Sequence, residues 1–121
     1  MEEAKAYLSM GADGIVVSNH GGRQFDAAPA AATVLPQIRA ALGTDALILA
    51  DGGIRNGLDI ARMLALGANF VLLGRPFIYA VAAIGKKGGN HVIHILKEEL
   101  KGAMAQMGCP TLEQLPQFLV E

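Results

Sequence analysis

Gly14-Ile-Val-Val-Ser-Asn-His-Gly-Gly-Arg-Gln24 opens with an apolar run and closes in a glycine-loosened loop carrying a histidine and an arginine. The run does not alternate apolar with polar, so it reads as a strand over Gly14–Asn19 of the kind buried on both faces, as in parallel sheets. Two further stretches have the same construction. Ala46–Ala50 is a second apolar strand, ending in Asp51-Gly-Gly-Ile-Arg55, and Asn69–Leu73 is a third, ending in Gly74-Arg75-Pro76. Three strand ends that each carry polar chemistry point to one active face.

Helical patterns fill the intervals. Glu2–Met10 reads as the end of a helix closed by Gly11. Pro29–Leu42 has helical spacing at Val34, Leu35, Ile38 and Leu42 and stops at Gly43. Asn56–Leu66 is amphipathic, with Leu58, Ile60, Ala61, Leu64 and Ala65 expected inward and Gly67 just past its end. Pro76–Ile84 is a short apolar helix, Lys86–Asn90 a loop, and Val92–Met107 a longer amphipathic helix. Cys109–Glu121 reads as a tail with a last turn from Leu112 to Leu115. This βαβαβα order requires parallel pairing with right-handed crossovers. Met10-Gly-Ala-Asp13 before the first strand rhymes with Leu66-Gly-Ala-Asn69 before the third, as if one helix-to-strand turn were repeated around a barrel.

The bulk composition sets limits. A chain of 121 residues, 52% of them hydrophobic, can bury one core and not two. A net charge of -1, with no stripe of lysine and arginine interleaved with aromatics, argues against a nucleic-acid partner. Apolar stretches are interrupted well short of the ~18 residues a membrane span needs. Met1-Glu2-Glu3 is acidic where a secretory signal is basic, and the single cysteine, Cys109, suits a reducing compartment, so a cytoplasmic location is expected.

The chemistry gathers at the strand ends. An imidazole such as that of His20 exchanges protons near neutral pH and suits a general base. Arg23, three residues on, offers a planar fork that holds a carboxylate through two hydrogen bonds; a surface pair with Asp26 is its bland alternative. In the turn Asp51, Gly52, Gly53, Ile54, Arg55, the two glycines let backbone N–H groups approach a ligand, and the next helix is expected to aim its positive end there. Gly74 and Arg75 supply a second cation from the neighbouring strand end. Together these read as a phosphate site, and the final strands of a (β/α)8 barrel commonly carry one. The alternative is a pair of tight turns with surface arginines.

Other candidates are weaker. His91 and His94 have H-x-x-H spacing on a helix but no third metal ligand. Lys86 and Lys87 read as a solvated loop. Met63, Met104 and Met107 fall at packing positions, and Asp59 and Arg62 form an i, i+3 surface pair of small value. Nothing electropositive adjoins Cys109, so no reactive role is expected of it.

Ser18-Asn-His-Gly-Gly-Arg-Gln24, Asp51-Gly-Gly-Ile-Arg-Asn-Gly57, and Leu64-Ala-Leu-Gly-Ala68 followed by Gly74-Arg-Pro76 together resemble the FMN-dependent 2-hydroxy acid dehydrogenases and oxidases. The resemblance covers nearly the whole chain and is strongest toward the bacterial quinone-linked L-lactate dehydrogenases. The first motif is the specific one. The Asp-Gly-Gly turn is also similar to phosphate loops of inosine-monophosphate dehydrogenases and type 2 isopentenyl-diphosphate isomerases, which lack that first motif.

The resemblance implies a fold and a set of roles. The fold is the C-terminal part of a TIM (β/α)8 barrel, strands six to eight with their helices. His20 is the implied base for the 2-hydroxy acid and Arg23 the implied carboxylate clamp. Asp51, Gly52, Gly53, Ile54, Arg55, Gly74 and Arg75 are the implied FMN contacts. The flavin carries the redox chemistry while the protein orients and polarises.

A complete barrel needs at least ~200 residues. The chain therefore reads as a C-terminal portion without the family's upstream elements: the lysine near the flavin, the substrate-binding tyrosines and the aspartate that orients the histidine. Two unpaired strand edges predict an oligomer or a complex with a missing N-terminal portion. Any membrane association would belong to that absent region. Two competing readings are a standalone phosphate- or nucleotide-binding half-barrel without redox activity, and a remnant that self-associates and binds nothing. A pure phosphate binder has no use for His20 and Arg23.

Overall fold

In the computed structural model, which describes residues 1–120, three parallel strands form one sheet in the order β1-β2-β3. They are β1 (Gly14–Val17), β2 (Leu47–Ala50) and β3 (Phe70–Val71). The register sets Ile15 against Ile48, Val17 against Ala50, and Ala50 against Val71. Five helices accompany them: α1 (Glu2–Ser9), α2 (Ala31–Leu42), α3 (Gly57–Ala65), α4 (Arg75–Ile84) and α5 (Gly88–Met107).

Each strand is shorter than the span expected for it. Ser18 and Asn19 leave β1 because their side chains accept from the backbone amides of His20 and Gly21, at 3.0 and 3.1 Å. Such local bonds compete with the ladder. Beyond β3 the pairing thins rather than stops: Asn69 N donates to the Ile48 carbonyl at 2.7 Å and Leu72 N to that of Ala50 at 2.9 Å.

The rhyming phrases are the same turn. After α1, Gly11 N bonds the Leu8 carbonyl and Ala12 N that of Tyr7; after α3, Gly67 N bonds Leu64 and Ala68 N bonds Met63. Gly11 and Gly67 have φ of 99° and 113°, the left-handed closure that glycine permits. Arg39 of α2 then locks the base of the sheet. Its guanidinium donates to the carbonyls of Gly67 (2.8 Å), Gly43 (2.7 Å) and Ala46 (2.8 Å), and to Asn69 Oδ1 (2.6 Å). Burial pulls its pKa below the ordinary arginine value.

Only one face of the sheet is covered. Val17, Ile48 and Ala50 pack with Ala31, Leu35, Ile54, Met63 and Ala68 in the main core beneath α2 and α3. On the other face Val16 is 53% exposed, Phe70 62% and Leu72 43%. The expectation of strands buried on both faces is therefore corrected: the side chains that make the runs continuous point to solvent here.

Three further expectations change. Lys86–Asn90 is not a loop, because Gly85–Lys87 forms a 3-10 turn and α5 begins at Gly88. Gly88 lies against the backbone of Ala80 and Val81 in α4, so close contact between helices outweighs the poor helix propensity of paired glycines. The segment from Cys109 has the turn expected over Leu112–Leu115, but it is packed on the body of the protein rather than a tail. A 3-10 helix runs from Leu112 to Phe118, and Cys109 and Leu115 join Ala61 and Ala65 in a second core. Leu58, expected inward, is 40% exposed beside Phe118 and Leu119. Cys109 Sγ donates to the Thr111 carbonyl at 3.1 Å, and no helix is long and apolar enough to cross a membrane among the described residues.

Candidate active site

A cavity of about 650 Å³ opens at the C-terminal ends of the strands. It is bordered by all three strand-end segments: Asn19–Arg23 after β1, Asp51–Arg55 after β2, and Leu72–Arg75 after β3. Each of the nine residues singled out from sequence borders it: His20, Arg23, Asp51, Gly52, Gly53, Ile54, Arg55, Gly74 and Arg75. In parallel α/β folds the strand C-termini converge on one side, which is why segments far apart in sequence meet here.

The histidine turn is built from the chain around it. Asn19 caps a 3-10 turn over His20–Gly22, and His20 itself sits at φ 54°, the single left-handed non-glycine residue among those described. That region is uncommon for a side-chain-bearing residue and stores strain near functional groups. Gly21 and Gly22 follow at φ 66° and 75°. Arg75 reaches this turn from α4, since a Cβ on Gly21 would lie 3.5 Å from its Nη2.

The electrostatics favour an anion. Arg23, Arg55 and Arg75 form no ion pair among the described residues, so the pairing of Arg23 with Asp26 is not made. Arg55 folds back, its Nη1 donating to the Ile54 carbonyl at 2.8 Å. Asp51 is the acid of the group, and its Oδ1 is buried without a hydrogen-bond partner among the described residues. A buried acceptor left without a donor is costly, and a ligand hydroxyl would relieve it.

Ile54 is only 2% exposed and belongs to the core, so its side chain anchors the turn. The N-terminus of α3, expected to face the phosphate, is already used by the protein. Gly57 N donates to Glu99 Oε2 at 2.8 Å, Asp59 N to Asn56 Oδ1 at 2.9 Å, and Arg55 N to Asp59 Oδ2 at 3.0 Å. The helix that starts at the cavity is α4, which has no side-chain cap and whose Arg75 and Ile78 line the wall. No cluster of three metal-ligating side chains exists among the described residues, and His91 and His94 lie exposed on α5.

Sequence reading passed over Asn19, although serine and asparagine before paired glycines are a turn signal.

Comparison with known proteins agrees with this arrangement. The chain matches the FMN-dependent dehydrogenase family over residues 1–121. It is 51% identical over 119 residues to an L-lactate dehydrogenase of Caulobacter sp. (strain K31), covering 98% of this chain and 31% of that protein. An L-lactate dehydrogenase of Bartonella tribocorum is 48% identical over 114 residues, covering 94% of this chain and 30% of that protein. Among solved structures, mandelate oxidase with benzoyl-formic acid superposes with a TM-score of 0.89 at 44% identity, over 94% of this chain and 34% of that one. Mandelate oxidase with 3,3-difluoro-2-hydroxy-3-phenylpropionic acid gives 0.90 at 43% identity, over 96% and 35%. The chain thus spans about a third of the length of these relatives, and its three βα units correspond to part of their TIM barrel. A match across the whole chain, with parallel strands whose ends meet at one cavity, makes this chain a member of the FMN-dependent dehydrogenase family.

Proposed function

We propose that the chain supplies the base, the carboxylate clamp and the phosphate side of an FMN site for oxidation of a small 2-hydroxy acid, such as L-lactate, to its 2-oxo acid. The observation that carries this is a cavity rimmed by His20 and by three arginines that form no ion pair among the described residues, with Asp51 Oδ1 buried in its wall and unpartnered among those residues. These residues fit the cofactor. Gly52, Gly53 and Gly74 offer backbone where a phosphorylated chain must approach closely, Arg55 and Arg75 balance its charge, and Asp51 accepts from a sugar-alcohol hydroxyl. The Ile54 contribution is its backbone.

FMN, when bound, would supply the acceptor for the two electrons and the α-hydrogen that leave the substrate. The protein's part is orientation and proton movement. Arg23 holds the carboxylate in a forked pair of hydrogen bonds, which fixes the neighbouring hydroxyl. The His20 imidazole takes that hydroxyl proton, a role worth typically ~10²–10⁴ in rate.

The isolated chain is proposed to be inactive, because three strands leave the sheet open at both edges and on one face. It would work with a polypeptide that supplies the remaining strands, or associate with copies of itself through the same surfaces.

An FMN titration of the purified chain, read by flavin fluorescence, tests the cofactor site. Saturable binding is expected, weakened roughly tenfold or more by Arg55→Ala or Arg75→Ala, in line with the loss of a charge-assisted hydrogen bond. Binding that ignores both substitutions would rule out this phosphate site. Hydroxy-acid oxidation on adding the upstream part of a related L-lactate dehydrogenase, lost with His20→Ala, separates the redox role from simple phosphate binding.

A further inference from the structure

Asn19 lies between the turn that carries His20, the return of the loop that bears Arg23, and the Asp51–Gly53 turn. Its Oδ1 accepts from Gly21 N at 3.1 Å, closing the turn that carries His20. Its Nδ2 donates to the Pro29 carbonyl at 3.5 Å, where the loop bearing Arg23 returns toward α2. The two bonds ask for an acceptor on one side and a donor on the other, so the amide has one satisfactory orientation. The same Oδ1 abuts the Asp51–Gly53 turn: a Cβ built on Gly52 would lie 3.1 Å from it. Gly52 has φ 93°, so both its conformation and the asparagine beside it call for glycine.

Local alternatives do not account for this placement. A turn cap needs only the bond to Gly21, which serine or aspartate could also make. The contact with Gly52 and the reach to Pro29 lie outside the turn. Asn19 is half-buried in the cavity wall, between the histidine turn and the Gly52 turn.

We infer that Asn19 is a positioning residue that couples the proposed phosphate turn at Asp51–Gly53 to the turn presenting His20, so that cofactor binding at one is transmitted to the other. The inference rests on the FMN reading only for the identity of the ligand. The coupling itself is a property of the unliganded chain.

Backbone amide NMR on the full 121-residue chain tests it, with FMN as the probe. Without FMN, Asn19→Ala should speed exchange of the Gly21 amide at least about fivefold, the equivalent of one ordinary hydrogen bond, and shift the Gly52 resonance. Asn19→Asp keeps the acceptor and should restore Gly21 protection. With FMN, the wild type should show shifts at both Gly52–Gly53 and Gly21–Gly22, whereas Asn19→Ala should keep the first pair and lose the second. A merely structural asparagine would change stability without separating those two responses. Unchanged Gly21 exchange and an unmoved Gly52 resonance in Asn19→Ala, in a variant that stays folded by its remaining amide spectrum, would overturn the inference. If FMN moves no resonance even in the wild type, the cofactor reading fails, and the ligand-free measurements still decide the role of Asn19.

Discussion

His20 combines two demands that conflict in most proteins: it carries a titratable side chain and it occupies the left-handed region, at φ 54°. That conformation costs roughly 1–2 kcal/mol for a residue with a Cβ, partly offset on replacement by the extra unfolded-state freedom of glycine, roughly 0.5–1 kcal/mol. The adjoining bonds from His20 N to Ser18 Oγ and from Gly21 N to Asn19 Oδ1 hold the turn regardless of the imidazole. His20→Gly should therefore leave the chain as stable or up to about 1 kcal/mol more stable by chemical denaturation, while removing the proposed base. A loss beyond about 0.5 kcal/mol would mean that the side chain itself supports the fold.

At the scale of elements, the helices are set by packing more than by propensity. Helix α5 starts on paired glycines because Gly88 lets it press against α4, and α3 accepts a cap from Glu99 on α5, forty-two positions away. Helix α2 holds an internal proline, Pro36, which is exposed and lacks the N–H that would reach the Ala32 carbonyl. Its neighbour Leu35 is fully buried, so the core keeps the helix in place despite the missing bond. Pro36→Ala should raise stability by about 1–3 kcal/mol, read as a higher denaturation midpoint, since interior proline costs a helix about that much. An unchanged or lower midpoint would show that proline's restriction of the unfolded chain outweighs the lost bond.

For the whole molecule, the open sheet is the dominant feature. Val16, Phe70 and Leu72 present an apolar face to water, and β1 and β3 are both edge strands. An uncovered edge beside an apolar face favours association. Sedimentation velocity of the isolated chain should show concentration-dependent self-association, reduced in the double variant Val16→Lys with Phe70→Glu. A chain that stays monomeric at high concentration would show that the face is tolerated in water. The same surface accounts for the proposed need for a polypeptide carrying the remaining barrel strands.

Much of this was legible in the residues alone. The apolar runs ending in Ser-Asn-His-Gly-Gly-Arg and Asp-Gly-Gly-Ile-Arg are local signals, because strand formation and glycine turns depend on near neighbours, and they located the strands, the repeated turn closing α1 and α3, and every candidate residue that lines the cavity. What depended on distant partners was not legible. Which face of the strands stays bare, the burial of Leu115 and Cys109, and the engagement of the α3 N-terminus by Glu99 each follow from contacts between segments tens of residues apart. So does the meeting of Asn19 with Gly52. Hydrophobic period and turn chemistry reside in neighbouring residues, so the sequence alone determined the strands, most of the helices and the polar chemistry at the strand ends. Only the tertiary structure decided which of those ends share a wall, because that is settled by packing across the sheet.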